Sequence, residues 1–160
     1  MLGKVTYVTP DTNNQPWMIS ASGFDFEDYI ASIIENSLIE LYDQGLLIER
    51  TPRTRDSGKD LIITSPVSFS LFGKKFRMNE KGKICIYIEF KSSKNSKIQL
   101  EHFSKNILLA NGSEVDYFVL ITNKTIVPFS YYEADRNAHE YGYQFYLVDQ
   151  YCLFNALFVG

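Results

Sequence analysis

The sequence predicts an α/β domain, a central mixed sheet flanked by helices, and three stretches carry that expectation. Residues 24–45, FDFEDYIASIIENSLIELYDQG, repeat Ile30, Ile34, Leu38 and Leu41 at helical spacing and stop at Gly45. Residues 84–91, ICIYIEFK, alternate Ile84, Ile86, Ile88 and Phe90 with Cys85, Tyr87, Glu89 and Lys91, the period of a strand. Residues 115–123, VDYFVLITN, are almost continuously apolar, as in a strand covered on both faces.

The remaining elements follow in order. Residues 1–23, with Pro10, Pro16, Gly23 and DTNNQ, read as an irregular lead-in holding one short strand at KVTYV. After the first helix, LLIER is a candidate strand, TPRTRDSGK a loop and DLIIT an apolar run. PVSFSLFGKKFRMNEKGKICIYIEFK reads as strands joined by glycine-containing turns. SKIQLEHFSKNILLANG, with Ile98, Phe103, Ile107 and Leu108, is expected to be a helix ending at Gly112. YYEADRNAHEYGY reads as a loop or short helix with no chemical role. YQFYLVDQYCLFNALFVG reads as a strand whose Asp149 caps a short terminal helix.

The 160 residues suffice for one domain with a substantial core and are too few for two ordinary ones, so 24–160 is taken as that domain. Apolar residues at 45% and charged residues at 22% exclude a disordered chain. No run approaches the roughly 20 apolar residues of a membrane span, and the N-terminus lacks the apolar core of a signal peptide, so a cytoplasmic location without membrane contact is expected. Cys85 and Cys152 lack metal-ligand spacing and read as packing residues. His102 and His139 read as surface or helix-side residues, Trp17 as packing, and Tyr131 and Tyr132 as packing or nucleic-acid contacts.

The formal charge of −3 conceals an uneven distribution. Residues 46–105 hold thirteen of the sixteen Lys and Arg against six acids, which gives a basic middle between acidic ends. Such a run is a solvated face more often than a binding site, and supports a polyanionic partner only beside other observations.

Three carboxylates stand in apolar text: Glu27 on the stripe of the first helix, Asp60 at the head of DLII, and Glu89 inside the isoleucine strand. Burying ionised carboxylates costs several kcal/mol each unless positive charge compensates. If the three converge, Mg²⁺ fits between them, because it prefers oxygen ligands and keeps room for water and phosphate oxygens. Lys91 projects from the face of Glu89, about 7 Å further along the strand. Its ammonium is placed to orient an attacking water or to neutralise charge developing on a phosphate.

The order Glu, Asp, Glu-x-Lys resembles the PD-(D/E)xK nuclease superfamily, and the text around it resembles the Mrr-type restriction endonuclease branch. FDFEDYIASII is similar to that branch's opening helix, DSGKDLII to its Asp-x-Gly-x-Asp pattern, and IEFKSSK to its strand with a trailing polar residue, here Ser93. DYFVLITN and YLVDQYCLF resemble its later strand and its closing strand and helix, so the likeness spans about residues 24–157. Twenty-eight residues separate Asp60 from Glu89, more than the branch leads one to expect, and a basic hairpin inserted around FGKKFRMNEKGK accounts for the excess.

The resemblance implies a restriction-endonuclease-like core and a Mg²⁺-dependent DNA endonuclease, with Mn²⁺ as substitute, of the kind that serves restriction or anti-phage defence. Asp60 and Glu89 would hold the metal with the Phe90 carbonyl, Lys91 would be the catalytic lysine, and Glu27 would assist. Lys59, Ser93 and Lys94 beside the motifs, and Lys74, Lys75 and Arg77 in the hairpin, would contact DNA. One site cuts one strand, so cutting duplex DNA implies a homodimer or larger assembly, and a fused or associated sensor domain is expected.

Plainer readings exist for each residue. Glu89 and Lys91 also read as a same-face ion pair worth under about 1 kcal/mol. Asp60 reads as a turn residue after Gly58, and Glu27 as an acid favoured in a first helical turn. Two other functions fit the same text: an inactive nuclease-like fold that only binds nucleic acid or a partner, and a structure-specific junction resolvase.

Overall fold

A computed structural model describes residues 24–50, 61–91, 97–98, 115–126 and 128–156. The strand expected at KVTYV lies outside these residues, as does the helix expected over 96–112, apart from Lys97–Ile98, which form a short strand instead.

Helix α1 spans Phe24–Ser37 and buries Phe26, Ile30, Ile33, Ile34 and Ser37. The expected helix does not continue unbroken to Gly45. At Leu38 the chain tightens into a 3₁₀ helix, Ile39–Gln44. Three residues per turn set buried Leu38 above buried Leu41 while Ile39 and Tyr42 face solvent. Gly45 does end the helical stretch: at φ 100° its N–H reaches the carbonyls of Leu41 and Tyr42, and a Cβ there would lie 3.1 Å from Pro66.

The strands are β1 (Leu47–Arg50), β2 (Leu61–Ser65), β3 (Phe69–Leu71), β4 (Lys74–Phe76), β5 (Ile84–Lys91), β6 (Lys97–Ile98), β7 (Tyr117–Thr122), β8 (Thr125–Ile126) and β9 (Gln144–Val148). Five of them form a mixed sheet in the order β1-β2-β5-β7-β9. The first two pairings are antiparallel, with Leu47 opposite Thr64 and Leu61 opposite Ile88. The last two are parallel, with Lys91 opposite Thr122 and Tyr117 opposite Gln144. β5 is therefore the central strand, and all six residues of β7 are buried, as its apolar run predicts.

Each face of the sheet has its own core. On one, Ile63, Ile86, Ile88, Phe90 and Val119 pack with α1, the β3–β4 hairpin and Leu153. On the other, Tyr87, Phe118, Leu120 and Phe145 pack with Ala134 and Ala138 of helix α2, Pro128–Tyr141. That helix occupies the stretch expected to be a loop or short helix. It opens on proline, a favoured first position, and stops at Gly142 with φ 83°. Helix α3, Gln150–Phe154, is capped as expected by Asp149, which accepts from the N–H groups of Tyr151 and Cys152 at 3.1 and 3.0 Å.

The expected hairpin is present between β2 and β5. Leu71 pairs with Lys74 across the two-residue turn Phe72-Gly73, where both residues have positive φ, the twist that suits right-handed strands. A phenylalanine at φ 51° is costly, and here it is set against burial of its ring.

Candidate active site

The C-terminal end of β5 carries two of the candidate site residues, Glu89 and Lys91. Alternation sends Ile88 and Phe90 to the α1 face, and Tyr87, Glu89 and Lys91 to the α2 face. Glu89 is only 4% exposed, whereas the Lys91 side chain keeps 33% of its surface open. Lys91 Nζ stands 3.7 Å from Glu89 Oε1. The strand thus holds a buried carboxylate under an ammonium that reaches the surface, which suits both groups: the ammonium offsets a charge that burial disfavours and remains accessible to an anion.

Across the parallel ladder, Glu89 faces Leu120 and Lys91 faces Thr122. Thr122 and Asn123 are both buried, and Thr122 Oγ1 accepts from Lys124 N at 3.1 Å. These two residues were not among the site candidates read from sequence. The available signal was the abrupt change from YFVLI to polar TN at the carboxyl end of a parallel strand, where α/β sheets place ligands.

Phe26 of α1 meets Phe90 edge-on, ring centroids 6.5 Å apart, so the first turn of α1 sits over this end of β5. Glu27 is the next residue and is half-buried. Its helix covers the Phe90 face, opposite the face of Glu89 and Lys91, so Glu27 would have to approach them around the strand end. Asp60, Lys59, Ser93 and Lys94 lie outside the described residues. Among the described residues no group of three or more His, Cys, Asp or Glu could hold a metal ion.

Lys74, Lys75 and Arg77 lie elsewhere. They line a cleft of about 430 Å³ with Tyr117, Gln144 and Tyr146, at the N-terminal ends of β7 and β9. Tyr117 packs on the α1 face, five residues before Thr122, or about 17 Å along the strand. The structure therefore brings Glu89 and Lys91 together and sets the hairpin cations at the other end of the sheet, on its other face.

Not all of the basic middle is available to a ligand. Arg50 bridges β1 to α1, with Nη2 2.6 Å from Glu35 Oε1 and Nη1 3.4 Å from Asp28 Oδ1. Its hydrogen bond to Glu35 raises the guanidinium pKa, against a smaller opposing effect of burial. Burial pushes the Tyr146 hydroxyl up, Tyr117 adds to the shift, and Arg77 opposes it.

A mixed five-stranded sheet flanked by helices is the architecture of a restriction-endonuclease-like α/β domain. The chain matches the restriction endonuclease family over residues 19–156 and belongs to its Mrr-type members. No curated protein matches it. Among the described residues, no helix is long and apolar enough to cross a membrane.

Proposed function

We propose that this domain hydrolyses DNA phosphodiester bonds in a Mg²⁺-dependent reaction at the C-terminal end of β5, and that it serves restriction or anti-phage defence. The observation that carries this reading is the buried Glu89 carboxylate with Lys91 Nζ 3.7 Å away on the same face. Leu61, the residue after Asp60 in the sequence, pairs with Ile88, the residue before Glu89.

The donor chemistry fits the metal. Carboxylate oxygens of Glu89 and Asp60 and the Phe90 carbonyl are hard ligands, and a carboxylate in an apolar strand gains from a facing cation. Mg²⁺, or Mn²⁺ in its place, would supply Lewis acidity toward a phosphate oxygen. The protein's own groups do the rest. Glu89 fixes the position of Lys91, whose ammonium binds a non-bridging phosphate oxygen and opposes the negative charge that grows as water attacks phosphorus. The products are a 3′ hydroxyl and a 5′ phosphate. Two copies acting together would cut both strands of a duplex.

Plasmid cleavage with Mg²⁺, comparing the native chain with Asp60→Ala and Lys91→Ala, tests the assignment. Loss of cutting in both variants is expected, and equal cutting by all three would remove it.

A further inference from the structure

The cleft under the β3–β4 hairpin has the construction of a ligand site. Its lining carries three cations, Lys74, Lys75 and Arg77, and among the described residues no carboxylate. None of the three makes an ion pair among the described residues, in contrast to Arg50 with Glu35 and Arg136 with Glu133. On a chain of formal charge −3, this is a local concentration of uncompensated positive charge.

The cations are also held in place. Phe76 is fully buried, stacking on Phe69 at 5.3 Å and meeting Tyr117 and Tyr146 edge-on at 4.9 and 5.4 Å, which fixes β4 to the sheet. The two tyrosine rings stack at 5.5 Å. Their hydroxyls bind the hairpin backbone on either side: Tyr146 donates to the Lys75 carbonyl at 3.0 Å, and the Arg77 N–H donates to Tyr117 at 3.0 Å. Lys74 Nζ lies 5.9 Å from the centre of the Tyr146 ring. The backbone that carries Lys75 and Arg77 is thus fixed before any ligand arrives, which lowers the ordering cost of binding.

We propose that this cleft is a second phosphate-binding site, separate from the catalytic end, and that it takes backbone phosphates of DNA. Three cations with no acid among the described lining residues select an anion, and Arg77 adds the planar fork that matches phosphate oxygens. The span of about 17 Å along β7, together with the change of face, means that the phosphate held here is not the one beside Lys91. At 3.4 Å of axis per base pair, that span corresponds to about five base pairs, or else to a second segment of DNA. The choice of DNA rests on the endonuclease reading, but binding is measured without cleavage, so the two can fail separately.

The test is duplex binding by fluorescence anisotropy in EDTA across a salt series. It compares the native chain, the combined Lys74→Gln, Lys75→Gln and Arg77→Gln variant, and a Lys81→Gln, Lys83→Gln control from the neighbouring turn. The cleft variant is expected to bind at least about tenfold more weakly at 0.1 M salt, with a salt slope reduced by up to about 3, since each lost phosphate contact removes about 0.9. The control is expected to stay close to the native chain. An unchanged slope in the cleft variant, or an equal loss in the control, would overturn the proposal. So would competition by millimolar inorganic phosphate that abolishes duplex binding, because the cleft would then be a small-anion site. Should the combined variant fail to give a native-like circular dichroism melt, exposed Arg77→Gln alone carries the test, with a slope change of about 1.

Discussion

The two ends of the parallel strands use charge in opposite ways. At the C-terminal end, Glu89 is buried and Lys91 leans on it at 3.7 Å, so charge is taken out of water and held close to its opposite. At the N-terminal end, Lys74, Lys75 and Arg77 face a cleft with no acid among the described lining residues, so charge is left facing solvent. The first arrangement costs stability and gains from a bound cation, whereas the second costs little and gains from a bound anion. The proposed chemistry and the proposed grip are therefore separable, and mutations should separate them.

The largest effect is expected at the proposed catalytic end. Lys91→Ala should lower the cleavage rate by two to three orders of magnitude, about what loss of one transition-state donor removes. Glu89→Gln should abolish cutting as well, yet leave the thermal midpoint unchanged or higher, because it replaces a buried charge by a neutral isostere. A Glu89→Gln variant that melts early would show the residue to be structural and break the contrast between the two ends.

Next is the foundation of the hairpin. Phe76→Ala removes a fully buried ring that touches Phe69, Tyr117 and Tyr146, and should destabilise the domain by about 3–5 kcal/mol in urea unfolding. A loss below about 1 kcal/mol would mean that the hairpin is not held to the sheet as described. A smaller effect is expected at the closing helix, where Asp149→Ala deletes two side-chain bonds to the Tyr151 and Cys152 N–H groups and should cost about 1 kcal/mol by the same measurement.

These two ends differ in how far the sequence reveals them. Period two in ICIYIEFK is enough to put Glu89 and Lys91 on one face, because pleating needs no tertiary information. The continuous apolar run of β7 announces burial on both sides for a similar reason. Helix α2 was legible only as a loop or short helix because, among the described residues, its inward-turned apolar side chains are Ala134, Ala138 and Tyr131. Small residues let a helix pack closely while adding little apolar signal, and its exposed positions include Phe129 and Tyr132, which blur the stripe. The break at Leu38 was likewise invisible, since residues three and four apart look alike to a helical period. For the cleft, FGKKFRMNEKGK shows a basic turn, but nothing local says that Tyr117 and Tyr146, 40 residues from Arg77 and 71 from Lys75, form its floor. Long-range registers such as Tyr117 with Gln144 are set by the whole sheet.

The smallest effect tests the charged cleft through a neighbour. Burial raises the Cys152 thiol above its ordinary pKa, mainly by disfavouring the thiolate, and among the lesser influences Lys74 pulls it back down. A raised pKa leaves less thiolate at a given pH, so Cys152 should be alkylated by iodoacetamide at pH 8 more slowly than a free thiol, as followed by peptide mass spectrometry. Removing the ammonium with Lys74→Met removes a cation that favours the thiolate, and the rate at Cys152 should fall slightly further while Cys85, at the start of β5, serves as internal reference. DNA bound in the cleft would counter the same charge and should act in the same direction on the native chain. If Lys74→Met speeds alkylation or leaves it unchanged, the ammonium does not bear on this side of the hairpin, and the cleft loses one of its three cations.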